Sequence, residues 1–210
     1  MKQGIEYSLY LVTDRDLMSA GDLADAVGQA VRGGCTVVQI REKTASSREF
    51  YDQAVAVKAV TDEYGVPLIV NDRVDVALAV GAAGVHVGQH DIPARVVRSI
   101  VGPDVVLGVS ASNLREAVDA VRDGADYLGV GAMFATDTKA EADLTSMDEL
   151  RAIRAAVSIP IVVIGGINMR TLPLFAGTGI DGLAVVSAIL SQPDIEAAAR
   201  EMREAFGKIV

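Results

Sequence analysis

Eight short β-branched runs, each followed by a longer stretch in the sequence, set the tightest limit on what this 210-residue chain folds into. The runs cover residues 8–13, 36–41, 68–71, 84–88, 105–110, 127–131, 161–166 and 182–187. Amphipathic patterns follow them at 22–32, 47–64, 114–122, 147–157 and 195–206, while the helices after the third and seventh runs read as short. One turn type recurs just before a strand: Gly33-Gly34, Gly81-Ala82-Ala83-Gly84, Asp123-Gly124-Ala125-Asp126 and Gly179-Ile180-Asp181-Gly182. Glycine is favoured past a helix end, where the backbone enters the left-handed region. Eight βα units averaging about 26 residues predict a single-domain (β/α)₈ TIM barrel spanning residues 1–210. A doubly wound open sheet is the alternative, but no G-x-G-x-x-G follows the first strand.

Composition narrows the function. Half the residues are hydrophobic, only 4% are aromatic, and the net charge is −9. An acidic chain lacks the phosphate-neutralising surface that nucleic-acid binding needs. The opening apolar run is too short for a signal peptide, and no uncharged run approaches membrane-spanning length. Cys35 is the one cysteine, which excludes an intramolecular disulfide and reads as a small buried hydrophobe. The expectation is a cytoplasmic protein acting on small molecules, without nucleic acid or membrane partners; a homo-oligomer is compatible with it.

In a TIM barrel the active site lies at the C-terminal ends of the strands. The second strand ends Val38-Gln39-Ile40-Arg41-Glu42-Lys43, so Gln39, Arg41 and Lys43 share one face while Val38 and Ile40 face the covering helices. Polar residues on an inner face forgo core packing, and Arg with Lys suits a phosphate or diphosphate. Asp72, after the third strand, and Asp91, after the fourth, reach the same rim and suit Mg²⁺ beside a phosphorylated ligand. Each also has a plainer reading as a helix cap. His86 is either a satisfied interior histidine or a ligand contact, and His90 reads as a surface residue. Ser110 ends the fifth strand without a nucleophile-elbow pattern. Gly129 and Gly131 read as inner-face glycines that open room for substrate. The loop Thr136-Asp137-Thr138-Lys139 reads as a lid. Glycines at 165–166 and a Ser-led turn at 187 mark the usual phosphate position after strands 7 and 8.

Together these segments resemble the thiamine phosphate synthase family. The matching motifs are Gln39-x-Arg41-x-Lys43, Asn71-Asp72-Arg73, His86-Val87-Gly88-Gln89-x-Asp91, Gly108-Val109-Ser110, Thr136-x-Thr138-Lys139, Ile164-Gly165-Gly166-Ile167 and Ala184-Val185-Val186-Ser187-Ala188-Ile189. They stand in family order and span nearly the whole chain. The resemblance implies condensation of an aminopyrimidine diphosphate with a thiazole phosphate, releasing pyrophosphate by a dissociative route. It implies that Gln39, Ile40, Arg41, Glu42, Lys43, Asn71, Ser110 and Lys139 bind the pyrimidine diphosphate. Thr136, Asp137, Thr138, Gly166, Val186 and Ser187 would bind the thiazole phosphate, and Asp72 and Asp91 would hold Mg²⁺. Lys139, Arg41 and Ser110 would act in the chemistry.

Two positions depart from the family pattern. Ser112 stands where a histidine is frequent, and Ala132 where a proline is. The related thiazole tautomerase is the nearest rival; it would lack the aspartate pair and use the histidine that Ser112 replaces. A non-catalytic barrel that binds a phosphorylated metabolite is the second rival, and it would not need all the charged rim residues.

Overall fold

Every strand alternates residues that face the barrel axis with residues that face the helices, and each face has its own packing partners. The computed structural model describes residues 4–19, 21–135 and 144–210. The strands are β1 (Leu9–Val12), β2 (Val37–Ile40), β3 (Leu68–Asn71), β4 (Gly84–Val87), β5 (Val106–Ala111), β6 (Tyr127–Val130), β7 (Ile161–Ile164) and β8 (Gly182–Val185). All pair in parallel and in sequence order, and β8 returns to β1 to close the barrel. Between and after them lie α1 (Leu23–Arg32), α2 (Ser47–Glu63), α3 (Val74–Val80), α4 (Ala94–Val101), α5 (Leu114–Arg122), α6 (Met147–Ala156), α7 (Ser187–Leu190) and α8 (Ile195–Phe206). The unit after β7 has only a 3-10 turn, Leu172–Phe175, matching the short helix read there. This is the barrel the sequence predicts.

Local chemistry sets the element ends. Asp22, Ser46, Asn113, Ser146 and Asp194 each accept a backbone N–H in the first turn of the following helix, satisfying donors that the helix cannot. The recurring glycine turns have left-handed φ at Gly34 (109°), Gly81 (64°), Gly124 (95°) and Gly179 (73°). Two of these turns carry the same further device. Asp126 accepts the Leu107 N–H at 2.8 Å and the Arg98 guanidinium at 2.5 Å. Asp181 accepts the Ile161 N–H at 2.8 Å and the Arg154 guanidinium at 3.0 Å. A Gly-x-Asp turn thus ties α4 to the start of β5, and a second ties α6 to the start of β7, at the barrel end that contributes stability.

Val38, Ile40, Leu68, Val70, Leu107 and Leu128 pack outward against helix residues such as Phe50, Leu150 and Phe206. Tyr10, Val37, Ile69, Val106, Tyr127 and Val162 fill the barrel interior. Burying an aliphatic side chain stabilises by about 1.5–3 kcal/mol. The inner positions nearest the C-terminal rim forgo that gain: Gln39, Asn71, His86 and Ser110 stand there.

Candidate active site

The inner rim residues open onto a cavity of about 690 Å³ at the C-terminal ends of the strands. Its two walls differ. The β2–β5 wall presents Gln39, Arg41, Asn71, His86 and Ser110. The β6–β8 wall presents Gly129, Ile164 and Ala184, then Gly165-Gly166 and the turn Val186-Ser187. Seven of the residues expected to bind substrate, Gln39, Arg41, Asn71, Ser110, Gly166, Val186 and Ser187, therefore line one cavity.

Arg41 is positioned from two sides. Its backbone N–H donates to Thr13 Oγ1 at 3.0 Å, and its guanidinium meets Asp14 Oδ2 at 3.4 Å. Both side chains are about a quarter exposed or less, 24% and 20%. A long, partly solvated pair of this kind holds little energy, so the guanidinium can turn to an anion. The neighbouring strand positions behave differently. Ile40 is wholly buried and packs in the layer between barrel and helices, so any ligand contact from it is limited to its backbone. Glu42 turns its carboxylate to the Arg15 guanidinium at 2.6 Å, with only 5% of its side chain exposed. Its carboxylate would in any case repel a diphosphate. Lys43 is exposed beyond the strand end.

Asp72 is the sole non-glycine among the described residues with positive φ, at 62°. It caps no helix: Arg73 holds the N-cap position of α3, which has no side-chain cap. Asp91 does not cap α4 either; Pro93 does, and Asp91 Oδ2 instead accepts the Gly88 N–H at 2.7 Å. Burial raises the Asp72 pKa to about 6, with the Asp91 hydrogen bond and charge adding to the rise, while Lys43 and Arg41 act against it. The two carboxylates therefore face each other, with two cations nearby. Among the described residues no cluster of three or more His, Cys, Asp or Glu could bind a metal. A divalent cation at the pair would take two protein carboxylates and complete its shell with phosphate oxygens and water, which is the coordination habit of Mg²⁺. The donor set fits that ion.

On the opposite wall Gly165 and Gly166 both have left-handed φ, 97° and 67°. The Gly166 carbonyl accepts from Asn168 Nδ2 and Thr171 Oγ1, both at 3.0 Å, which anchors this turn. No side chain caps α7, whose N-cap is Val186. In this single turn the Ile189 and Leu190 N–H groups donate to the Val186 carbonyl at 3.1 and 2.9 Å, which leaves those of Ser187 and Ala188 to face outward from the helix start.

Several sequence expectations change. Gly131 does not open room for substrate: a Cβ there would lie 2.1 Å from the Ile164 carbonyl oxygen, so the glycine lets β6 approach β7. Arg73, which stands in the Asn71-Asp72-Arg73 motif, points to Asp75 at 2.6–2.8 Å and to Ser47 at 3.1 Å. Gly129 does line the cavity, beside the His86 ring. The loop expected to act as a lid, Thr136, Asp137, Thr138 and Lys139, lies outside the described residues. The sequence reading missed Asp14, Tyr10 and Tyr127. The last had a signal: Gly108 pairs with Tyr127 across β5 and β6, where only a glycine leaves space for the ring.

Residues 9–189 match the family model described as thiamine monophosphate synthase. The chain belongs to this family. Thiamine-phosphate synthase of Clostridium beijerinckii is 61% identical over 209 residues, covering 100% of both chains. That of Ruminiclostridium cellulolyticum is 58% identical, covering 98% of both. The solved thiamine phosphate pyrophosphorylase of Pyrococcus furiosus superposes with a TM-score of 0.90 at 39% identity, covering 98% of each chain. As a thiamine monophosphate synthase family member, the chain is a transferase. Of its two departures from the family pattern, Ala132 lines the cavity on the side of β6 and Ser112 is not among the lining residues. Ser112 directs both its N–H and its hydroxyl to Glu116 Oε2, at 2.7 and 3.0 Å. Ala132 is buried, and its carbonyl accepts the Thr145 N–H at 2.8 Å.

Proposed function

We propose that the enzyme joins 4-amino-2-methyl-5-hydroxymethylpyrimidine diphosphate to 4-methyl-5-(2-phosphoethyl)thiazole, or its 2-carboxylate, with release of pyrophosphate. The observation that carries this reading is the cavity's division into two walls: side chains suited to a polar ring and diphosphate, and backbone suited to a single phosphate. The C–O bond between the pyrimidine methylene and the diphosphate breaks first, and its electron pair leaves with pyrophosphate. The aminopyrimidine ring delocalises the resulting cation, and the thiazole nitrogen lone pair then forms the new C–N bond. No protein nucleophile is needed. Asp72 and Asp91 would hold Mg²⁺, which when bound supplies positive charge at the leaving diphosphate.

Arg41, Lys43, Asn71 and Lys139 hold the diphosphate. Glu42 stays with Arg15 and keeps its charge out of the site. Gln39 and Ser110 orient the pyrimidine. Gly166, Val186 and Ser187, with Thr136, Asp137 and Thr138, bind the thiazole phosphate, chiefly through N–H groups at a turn. Positioning two reactants and screening a cation from water account for catalysis here. The enzyme acts in the cytoplasm on small phosphorylated substrates.

The tautomerase reading loses its base, because Ser112 stands at that position and is tied to Glu116. A non-catalytic barrel has no use for a paired Asp72 and Asp91 beside Arg41. A steady-state assay for pyrophosphate decides the matter. Release is expected only when both substrates and Mg²⁺ are present, and comparison of the two thiazoles assigns the acceptor. Absence of release with either thiazole would overturn the reading.

A further inference from the structure

A chain of hydrogen bonds crosses the barrel interior beneath the cavity. Gln39 Nε2 donates to the Tyr10 hydroxyl at 2.8 Å, and the Tyr10 and Tyr127 hydroxyls lie 2.6 Å apart. The Tyr127 hydroxyl lies 2.9 Å from His86 Nδ1, and His86 Nε2 lies 2.9 Å from Ser110 Oγ. The links are buried: Tyr127 is 0% exposed, Tyr10 1%, Gln39 5% and His86 7%. Five residues from β1, β2, β4, β5 and β6 thus connect the two side chains assigned to the pyrimidine ring.

The chain has a direction. An amide NH₂ only donates, so Tyr10 accepts from Gln39 and gives its single hydrogen to Tyr127. Tyr127 then gives its own hydrogen to His86 Nδ1. An imidazole that accepts at Nδ1 is neutral and carries its hydrogen on Nε2, which donates to Ser110. Burial pushes both phenols well above their usual range, so neither gives up its proton. In the opposite direction Tyr10 would accept from both Gln39 and Tyr127, and its own buried hydrogen would have no acceptor in the chain, a cost that the direction given avoids.

The sequence gives up two inner side chains to seat these rings. A Cβ at Gly108 would lie 2.1 Å from Tyr127 Cζ, and one at Gly129 would lie 3.0 Å from His86 Cε1. Glycine within a strand weakens it, so the rings are kept at a cost that plain aliphatic packing would avoid.

We propose that Tyr10, Tyr127 and His86 act as positioning residues that fix the polarity of Ser110. Because its oxygen accepts from His86, its hydrogen turns to the cavity as a donor. The site therefore selects an aromatic ring that offers a lone-pair nitrogen at that point and refuses one that offers N–H. This rests on the reading of the cavity as a pyrimidine site.

The chain holds two histidines, His86 and His90. Long-range ¹H–¹⁵N NMR on ¹⁵N-histidine protein, with His90→Gln for assignment, reads the His86 tautomer without substrate. The expected result is a neutral ring with hydrogen on Nε2, and loss of that single tautomer in Tyr127→Phe. A neutral ring with hydrogen on Nδ1, or an imidazolium, in the unmodified protein would overturn the proposal. Kinetics supply the second arm. Tyr127→Phe should raise KM for the pyrimidine diphosphate about tenfold, as expected when one hydrogen bond is misdirected, and leave KM for the thiazole phosphate unchanged. In a Ser110→Ala background it should add nothing, because the two act through one contact. Additive effects, or a lowered Tm with KM unchanged, would reduce the chain to a structural network and overturn its role. A wild-type enzyme that binds no pyrimidine diphosphate would instead strike the substrate reading, since the tautomer is measured independently of it.

Discussion

On the β2–β5 side of the cavity a ligand meets side chains: Gln39, Arg41, Asn71 and Ser110, with the Asp72–Asp91 pair beyond them. On the β7–β8 side it meets the Gly165-Gly166 backbone and the uncapped first turn of α7. The first wall reads the shape and polarity of a ring and carries several charges. The second offers mainly backbone N–H groups at a helix start, with Asn168 and the Arg170 side chain at its edge. Substitution should therefore have opposite profiles on the two walls. Truncating side chains disables the first, whereas only an added charge disables the second.

The largest effect is expected at Asp72. Asp72→Asn removes the charge but suits the backbone, because asparagine also tolerates the left-handed φ of 62° found there. Turnover should fall by ~10²-fold or more as charge stabilisation of the leaving group is lost, while circular dichroism and Tm stay near the parent values. Undiminished kcat would remove the metal pair from the account.

Ser187 probes the other wall. Ser187→Ala should raise KM for the thiazole phosphate only about two- to fivefold, since one neutral hydrogen bond is at stake. Ser187→Asp places a carboxylate where it favours the helix but repels a phosphate, and should raise that KM about tenfold or more. KM for the pyrimidine diphosphate should not move in either variant. If alanine proves as harmful as aspartate, the wall works through the hydroxyl and not through backbone.

These contrasts show which parts of the site the sequence could display. Inner-face polarity was legible because strand residues alternate, and Gln39, Arg41 and Ser110 fall on the correct face by that rule alone. The fold was legible for the same reason, with glycine turns adding punctuation. Alternation also sent Ile40 outward, but it is silent on which neighbour a side chain chooses, so the Glu42–Arg15 pair was hidden. It likewise could not separate Gly129, which borders His86, from Gly131, which makes way for Ile164. Taken alone, Asp72 read equally as a cap or a ligand, and only its pairing with Asp91 favoured the ligand; Arg73 at the N-cap of α3 excludes the cap. Tyr127 went unread because its role depends on a residue 117 positions away.

A smaller effect is expected from pH. Asp72 in the folded, metal-free protein has a pKa of about 6, above its ordinary 3.8. The folded state then binds a proton more tightly than the unfolded state between those values. Its contribution to stability is present at pH 4 and is lost as pH rises through 6. Mg²⁺ requires the ionised pair, so its stabilising effect should run the other way. Differential scanning fluorimetry with Mg²⁺ and pyrophosphate should show little shift in Tm at pH 5 and a rise of about 2–4 °C at pH 8. Asp72→Asn should flatten that dependence. A shift that is equal at both pH values would detach Asp72 from the cation.

Two anions are expected to occupy the two walls at once. Isothermal titration of Mg²⁺-pyrophosphate into the enzyme, alone and with saturating thiazole phosphate, tests it without any chemical step. One pyrophosphate per chain is expected, with the same Kd in both titrations. Loss of pyrophosphate binding when the thiazole phosphate is present would mean that a single anion site serves both, and would contradict it.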